Sequence, residues 1–145
     1  MRILNRQKRH RLPLRLLRRQ TELAVAALGR AWPGRVRELV VVMVSARESA
    51  RIHREFLADP AATDVITFDH GELIVCPAVA ERQRHLEKLS LAAEVLTYII
   101  HGCLHLCGYD DHTERDFQRL RRRQTRVRNQ VLRPRPAHYQ IINFQ

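Results

Sequence analysis

The residues best placed to do chemistry lie in the run Tyr98 to His112, YIIHGCLHLCGYDDH. His101 and His105 are four apart. On a helix that turns about 100° per residue they share one face, so one cation can sit between them. Glu94 and Tyr98 continue the same stripe. Gly108 permits the left-handed backbone that ends a helix and swings the following residues back over it, which places His112 to close a tripod. Three neutral imidazoles leave a fourth tetrahedral position for water, the arrangement of catalytic zinc. Water bound there becomes far more acidic than bulk water and can supply hydroxide near neutral pH. The expected ligands of a single Zn2+ are therefore His101, His105 and His112. Asp110 and Asp111 are the candidates to orient or deprotonate that water, although an acid in a tight turn more often caps the turn.

Cysteine is the competing ligand type. Cys103 and Cys107 also lie four apart, but they are rotated about 200° from the histidine pair and should face the core as small hydrophobes, as should Cys76. Three cysteines with no CxxC pair argue against a disulfide framework, and a reducing cytoplasm is the default. Zinc peptidases of the HExxH type carry their general base directly after the first histidine, where this chain has Gly102.

The elements that must position these residues follow from periodicity. Arg2–Asn5, Glu38–Ser45, Thr63–Phe68 and Glu72–Cys76 read as strands, the last two joined as a hairpin through residues 69–71. Helices are expected over Leu14–Leu28, over Ala46–Leu57 (stopped by Asp59 and Pro60), and from Pro77 to about Leu86. Two more run from the Ser90 cap to Gly108 and from Thr113 to about Leu132. Few strands among several helices imply an α/β fold (mixed α+β): a small, mainly four-stranded mixed sheet packed with about five helices. The zinc site lies at the end of a central helix. Residues 1–133 are expected to form a single hydrolase domain and 134–145 a short tail.

The chain has 145 residues and a formal charge of +11, with Arg far outnumbering Lys. Guanidinium forks grip phosphate oxygens, so the excess favours a polyanionic partner such as RNA. The arginine-dense helix after Thr113 is the expected footprint, with Arg115, Arg119, Arg121, Arg122, Arg123, Arg126 and Arg128, above all Arg115, Arg119, Arg122 and Arg126, joined by Arg9 and Arg11 near the N-terminus; some of these cations can simply solvate the helix. Aromatic residues make up 6%. Base stacking is therefore not written into the sequence. No run approaches the roughly 18 apolar residues of a membrane helix, so no membrane association is expected, and oligomeric state is not readable.

The run HGCLHLCGYDDH at 101–112, with TDVITF at 63–68 and GELIVCP at 71–77 upstream in the same order, resembles the YbeY family of metal-dependent endoribonucleases, or rRNA maturation factors. The resemblance covers about Glu38 to Glu114. It implies a mixed α/β fold, one zinc ion, and a cytoplasmic, single-strand-specific endoribonuclease acting in rRNA maturation and ribosome quality control, with rRNA and ribosomal proteins as partners. A non-catalytic zinc-containing ribosome assembly factor is the first alternative, and a zinc peptidase the second. There are two departures from the family pattern. The family's third histidine follows Gly-Tyr-Asp directly, whereas here Asp111 intervenes, so either the turn absorbs a residue or Asp111 is the ligand; the compliant turn and all-nitrogen ligation favour His112. Where the family carries an arginine associated with cleavage this chain has Leu57, and Arg51 or Arg54 is the expected substitute.

Overall fold

The computed structural model describes residues 1–57 and 65–133. Strands β1 (Arg2–Asn5), β2 (Val40–Met43), β3 (Val65–Phe68) and β4 (Glu72–Val75) form one sheet in the order β1-β2-β4-β3. β1, β2 and β4 are mutually parallel, in the register Arg2↔Val40↔Glu72, and β3 returns antiparallel to β4. Helices α1 (Leu14–Leu28), α2 (Ala46–Leu57), α3 (Pro77–Gln83), α4 (Leu91–Leu106) and α5 (Glu114–Leu132) complete it. The mixed sheet and five helices of the sequence reading are thus present. The helix from Pro77 is shorter than expected, tightening into a 3-10 turn at Arg84–Glu87. The expected stop at Asp59 and Pro60, and the start of β3 at Thr63, lie outside the described residues.

Side chains alternate across the sheet. Val41, Met43, Leu73 and Val75 face the main core with α1 and α4. Val42, Val44, Ile66 and Ile74 face the other side, where Ile52 of α2 covers part of them. α4 is the centre of the helical layer. Ile99, Ile100, Cys103 and Leu104 are fully buried; each large aliphatic one contributes roughly 1.5–3 kcal/mol. Its packing on the sheet is close: a Cβ on Gly102 would come within 2.9 Å of Leu73 Cδ2 and 3.2 Å of Thr67 Oγ1. Among the described residues no single helix is long and apolar enough to cross a membrane.

Candidate metal centre

α4 begins at Ser90, whose hydroxyl accepts a hydrogen bond from the Ala93 N–H. It is apolar on nearly every face, so its position is fixed by packing, and the partly buried stripe of His101 and His105 is held with it. The rings lie 4.6 Å apart, edge to face, with Nε2 to Nε2 3.0 Å. His105 Nδ1 meets the Tyr109 carbonyl at 3.0 Å. A carbonyl only accepts, so Nδ1 carries the proton and the Nε2 lone pair faces inward. His101 Nδ1 donates in the same way to Gln124 Oε1 of α5, at 2.8 Å. Two lone pairs pointed at one another repel unless a cation lies between them. Ligands held about 2 Å from one tetrahedral ion sit about 3.3 Å apart, close to the separation seen here.

The turn after α4 brings a third possible donor to the histidine pair. Gly108 has φ 96°, its N–H bonds the His105 carbonyl, and the Tyr109 N–H reaches back to Leu104. This paired closure of a helix C-terminus is the one that a glycine in positive φ allows. Asp110 then accepts the His112 N–H through Oδ1 at 2.9 Å, and Thr113 caps α5 by accepting the Asp116 N–H. Asp110 therefore holds the turn. Asp111 Oδ2 lies 3.9 Å from His105 Nε2, and single ligand atoms of His101, His105 and Asp111 all fall within 4.8 Å of one another. These three could hold a metal ion. His112, favoured from the sequence, is exposed and is not one of these three; its backbone N–H is held by the Asp110 side chain.

Cys103 is fully buried and Cys107 partly so, both apart from the group. Burial pushes the Cys103 thiol far up, and the Cys107 thiol is also raised by burial, with Arg123 and Arg35 opposing. Both shifts favour the neutral thiol, and Cys103 faces the core as the helical rotation predicts.

Beside His101 a cleft of 340 Å³ runs between α4, α5 and the turn after α3, with Tyr98 and Phe117 in its walls. Gln124, which orients His101, was missed in the sequence. The signal was there: it sits on the stripe Phe117, Leu120, Val127, Val131, where a polar residue has little reason to be unless something faces it. The arginines of α5 divide. Arg115, Arg122 and Arg126 are exposed, Arg119 lies over the Tyr109 ring at 5.2 Å, Arg123 bonds the Ala27 carbonyl, and Arg128 is buried against Glu87 at 2.7 Å. Arg54 is exposed, whereas Arg51 pairs with Glu48 and Glu55. Leu57 is the last residue of α2.

A family model described as "Endoribonuclease YbeY" matches residues 2–132. Relatives of the same name include one from Bdellovibrio bacteriovorus, 34% identical over 118 residues (74% of this chain, 78% of the relative). Another, from Chlorobium luteolum, is 32% identical over 132 residues (86% and 93%). The solution structure of TM1509 from Thermotoga maritima shares the fold, with a TM-score of 0.58 at 22% identity over 90% of this chain and 89% of that one. The histidine pair on a buried helix, the glycine turn and the match along nearly all of the described sequence agree: the chain belongs to the endoribonuclease YbeY family.

Proposed function

We propose that this protein is a zinc-dependent endoribonuclease that hydrolyses phosphodiester bonds of single-stranded RNA in rRNA maturation, in the cytoplasm and in contact with the ribosome. The observation that carries the reading is the convergence of His101, His105 and Asp111 within 4.8 Å, with both imidazole Nδ1 atoms engaged so that the two Nε2 atoms, 3.0 Å apart, are the ligating nitrogens. Two imidazoles and a carboxylate are a catalytic zinc donor set, leaving a fourth position for water or substrate. When bound there, zinc supplies Lewis acidity: it makes water acidic enough to attack at neutral pH and neutralises charge on the scissile phosphate.

The chain's own residues do the rest. Gln124 and the Tyr109 carbonyl hold the two rings in the ligating tautomer. Asp110 keeps the turn closed, which leaves it a positioning role rather than that of general base. The cleft beside His101 admits a nucleotide between Tyr98 and Phe117, and the exposed Arg115, Arg122 and Arg126 hold phosphates of the same strand, with Arg54 as the cation nearest the position where the family has arginine. The position after His101 is Gly102, so the usual base of a zinc peptidase is missing and phosphodiester hydrolysis is favoured over peptide hydrolysis.

The test is cleavage of an unstructured RNA with and without chelator, together with His105→Ala. Losing several kcal/mol of transition-state stabilisation lowers the rate by on the order of a thousand-fold, while circular dichroism and melting stay as in the wild type. Full activity in chelator, or in His105→Ala, would sink the reading. A protein that binds stoichiometric zinc and ribosomes but leaves RNA intact would be an assembly factor.

A further inference from the structure

The strands β1 and β2 are adjacent and parallel, yet the chain leaves their carboxyl ends in opposite directions. After β1 it runs through residues 6–13 into α1, which packs Leu17, Ala24 and Leu28 in the same core as Val41 and Met43. After β2 it passes Val44 and Ser45 into α2, whose Ile52 packs with Val42 and Val44 on the opposite face. Diverging connections leave a crevice above the strand ends, and in open α/β sheets ligands bind at such a switch point. Here the crevice measures 430 Å³, walled by Arg6, Lys8, Arg9 and His10 on one side and by Ser45 and Arg47 on the other.

The chemistry of this crevice is of one sign. Among the described residues no carboxylate lines it. Of the ion pairs among them, none involves Arg6, Lys8, Arg9 or Arg47, whereas Arg2 and Arg51 nearby have Glu38, Glu48 and Glu55. α2 adds the positive end of its dipole at the same place. Its Glu48 N–H is capped by Ser45 Oγ, and the N–H groups of Ala46 and Arg47, in its first turn, have no intrahelical acceptor. His10 Nε2 is buried without a hydrogen-bond partner. The wall is also stiff. Gln7, 8% exposed, donates to Asn5 Oδ1 and the His10 carbonyl and accepts the His10 N–H, while the Arg6 N–H is tied to the Met43 carbonyl. Four cations with no ion-pair partner among the described residues, held together on this frame, repel one another and are stabilised by an anion.

We propose that this crevice is a second RNA anchor, binding backbone phosphates of the substrate strand through Arg6, Lys8, Arg9, Arg47 and the N-terminus of α2. It shares no residue with the metal group or the cleft beside His101, and it rests on RNA being the substrate. The four cations are exposed, within reach of a polymer rather than enclosed around a small phosphoester.

The test uses the full chain in chelator, so that a fluorescent single-stranded RNA is bound and not cut, titrated at several salt concentrations. The triple variant Lys8→Gln/Arg9→Gln/Arg47→Gln is compared with Arg122→Gln/Arg126→Gln on α5. With about 0.7 released counterions per phosphate contact, the triple variant flattens the log–log salt slope by about 2 and binds about 10-fold or more weakly near 0.1 M salt. Its melting temperature holds or rises, because like charges are gone. Affinity and slope equal to wild type in a folded triple variant overturn the proposal. So does protection of the wild type, but not the triple variant, by inorganic phosphate with RNA binding unaffected; the site would then take a small phosphoester. If the wild type fails to bind RNA even at low salt, it is the RNA reading itself that falls.

Discussion

α4 and α5 lie against one another and are held by opposite means. α4 is apolar on nearly every face and immobilised by what surrounds it, so the two polar rings on its remaining stripe are held as a fixed pair. α5 is polar over most of its surface and is anchored along a narrow stripe in which Leu120 and Val127 are buried. What each side chain does is decided by which way its helix face turns. Gln124 orients His101, Arg128 and Arg123 tie α5 down, and Arg122 and Arg126 face solvent.

The largest effect expected from breaking this division is at the third proposed donor, Asp111, which neither helix carries. Asp111→Asn should weaken metal binding by about 100-fold or more, beyond the roughly 10–100-fold typical of groups that only orient a ligand. Gln124→Leu should fall within that lower range, and His112→Ala should change little. Competition with a chromophoric chelator measures all three. If His112→Ala loses the metal and Asp111→Asn keeps it, the turn rearranges on binding and His112 is the ligand.

Next in size is the contact that seats α4. Gly102→Ala places a methyl against Leu73 and Thr67. The helix must lift or Leu73 must repack, at a cost of about 1–3 kcal/mol. Since Gly102 follows His101, the displacement should also weaken metal binding by several-fold, which Leu73→Ala in the same chain partly restores. Equal melting curves for Gly102→Ala and wild type would mean that α4 is not seated by that contact.

Most of this frame was legible in the sequence because it follows from short-range rules. Apolar runs gave the strands, Ser90 and Thr113 announced their helices as caps, and four-residue spacing put the histidines on one face. The third donor was not legible in the same way. Choosing between Asp111 and His112 needs the register of a turn, and the side chain of Asp110 sets that register by bonding the His112 N–H. The arginines were harder still. Composition announces a basic helix, but which cations are free depends on neighbours far off in sequence, Glu87 for Arg128 and Ala27 for Arg123. The crevice at the ends of β1 and β2 depends on the strand order, which periodicity does not contain.

The smallest effects sharpen the division among the arginines. Arg128 is 6% exposed and bonds Glu87 at 2.7 Å, but the Glu87 side chain is 39% exposed and also lies 3.5 Å from Arg121. Removing the guanidinium leaves a carboxylate that can turn to water or to Arg121, so the loss is well short of the roughly 3–5 kcal/mol for a pair buried on both sides. Arg128 Nε is itself buried without a partner, and deleting that unsatisfied N–H returns part of the cost. Arg128→Met, which keeps the volume, should therefore destabilise by about 1–2 kcal/mol in urea unfolding with RNA affinity unchanged. Arg122→Gln should do the reverse: stability within about 0.5 kcal/mol of wild type, and a salt slope for RNA binding lower by about 0.7. Should Arg128→Met lose RNA affinity while melting normally, the inward arginine would be a substrate contact, and burial would not be what separates the two groups.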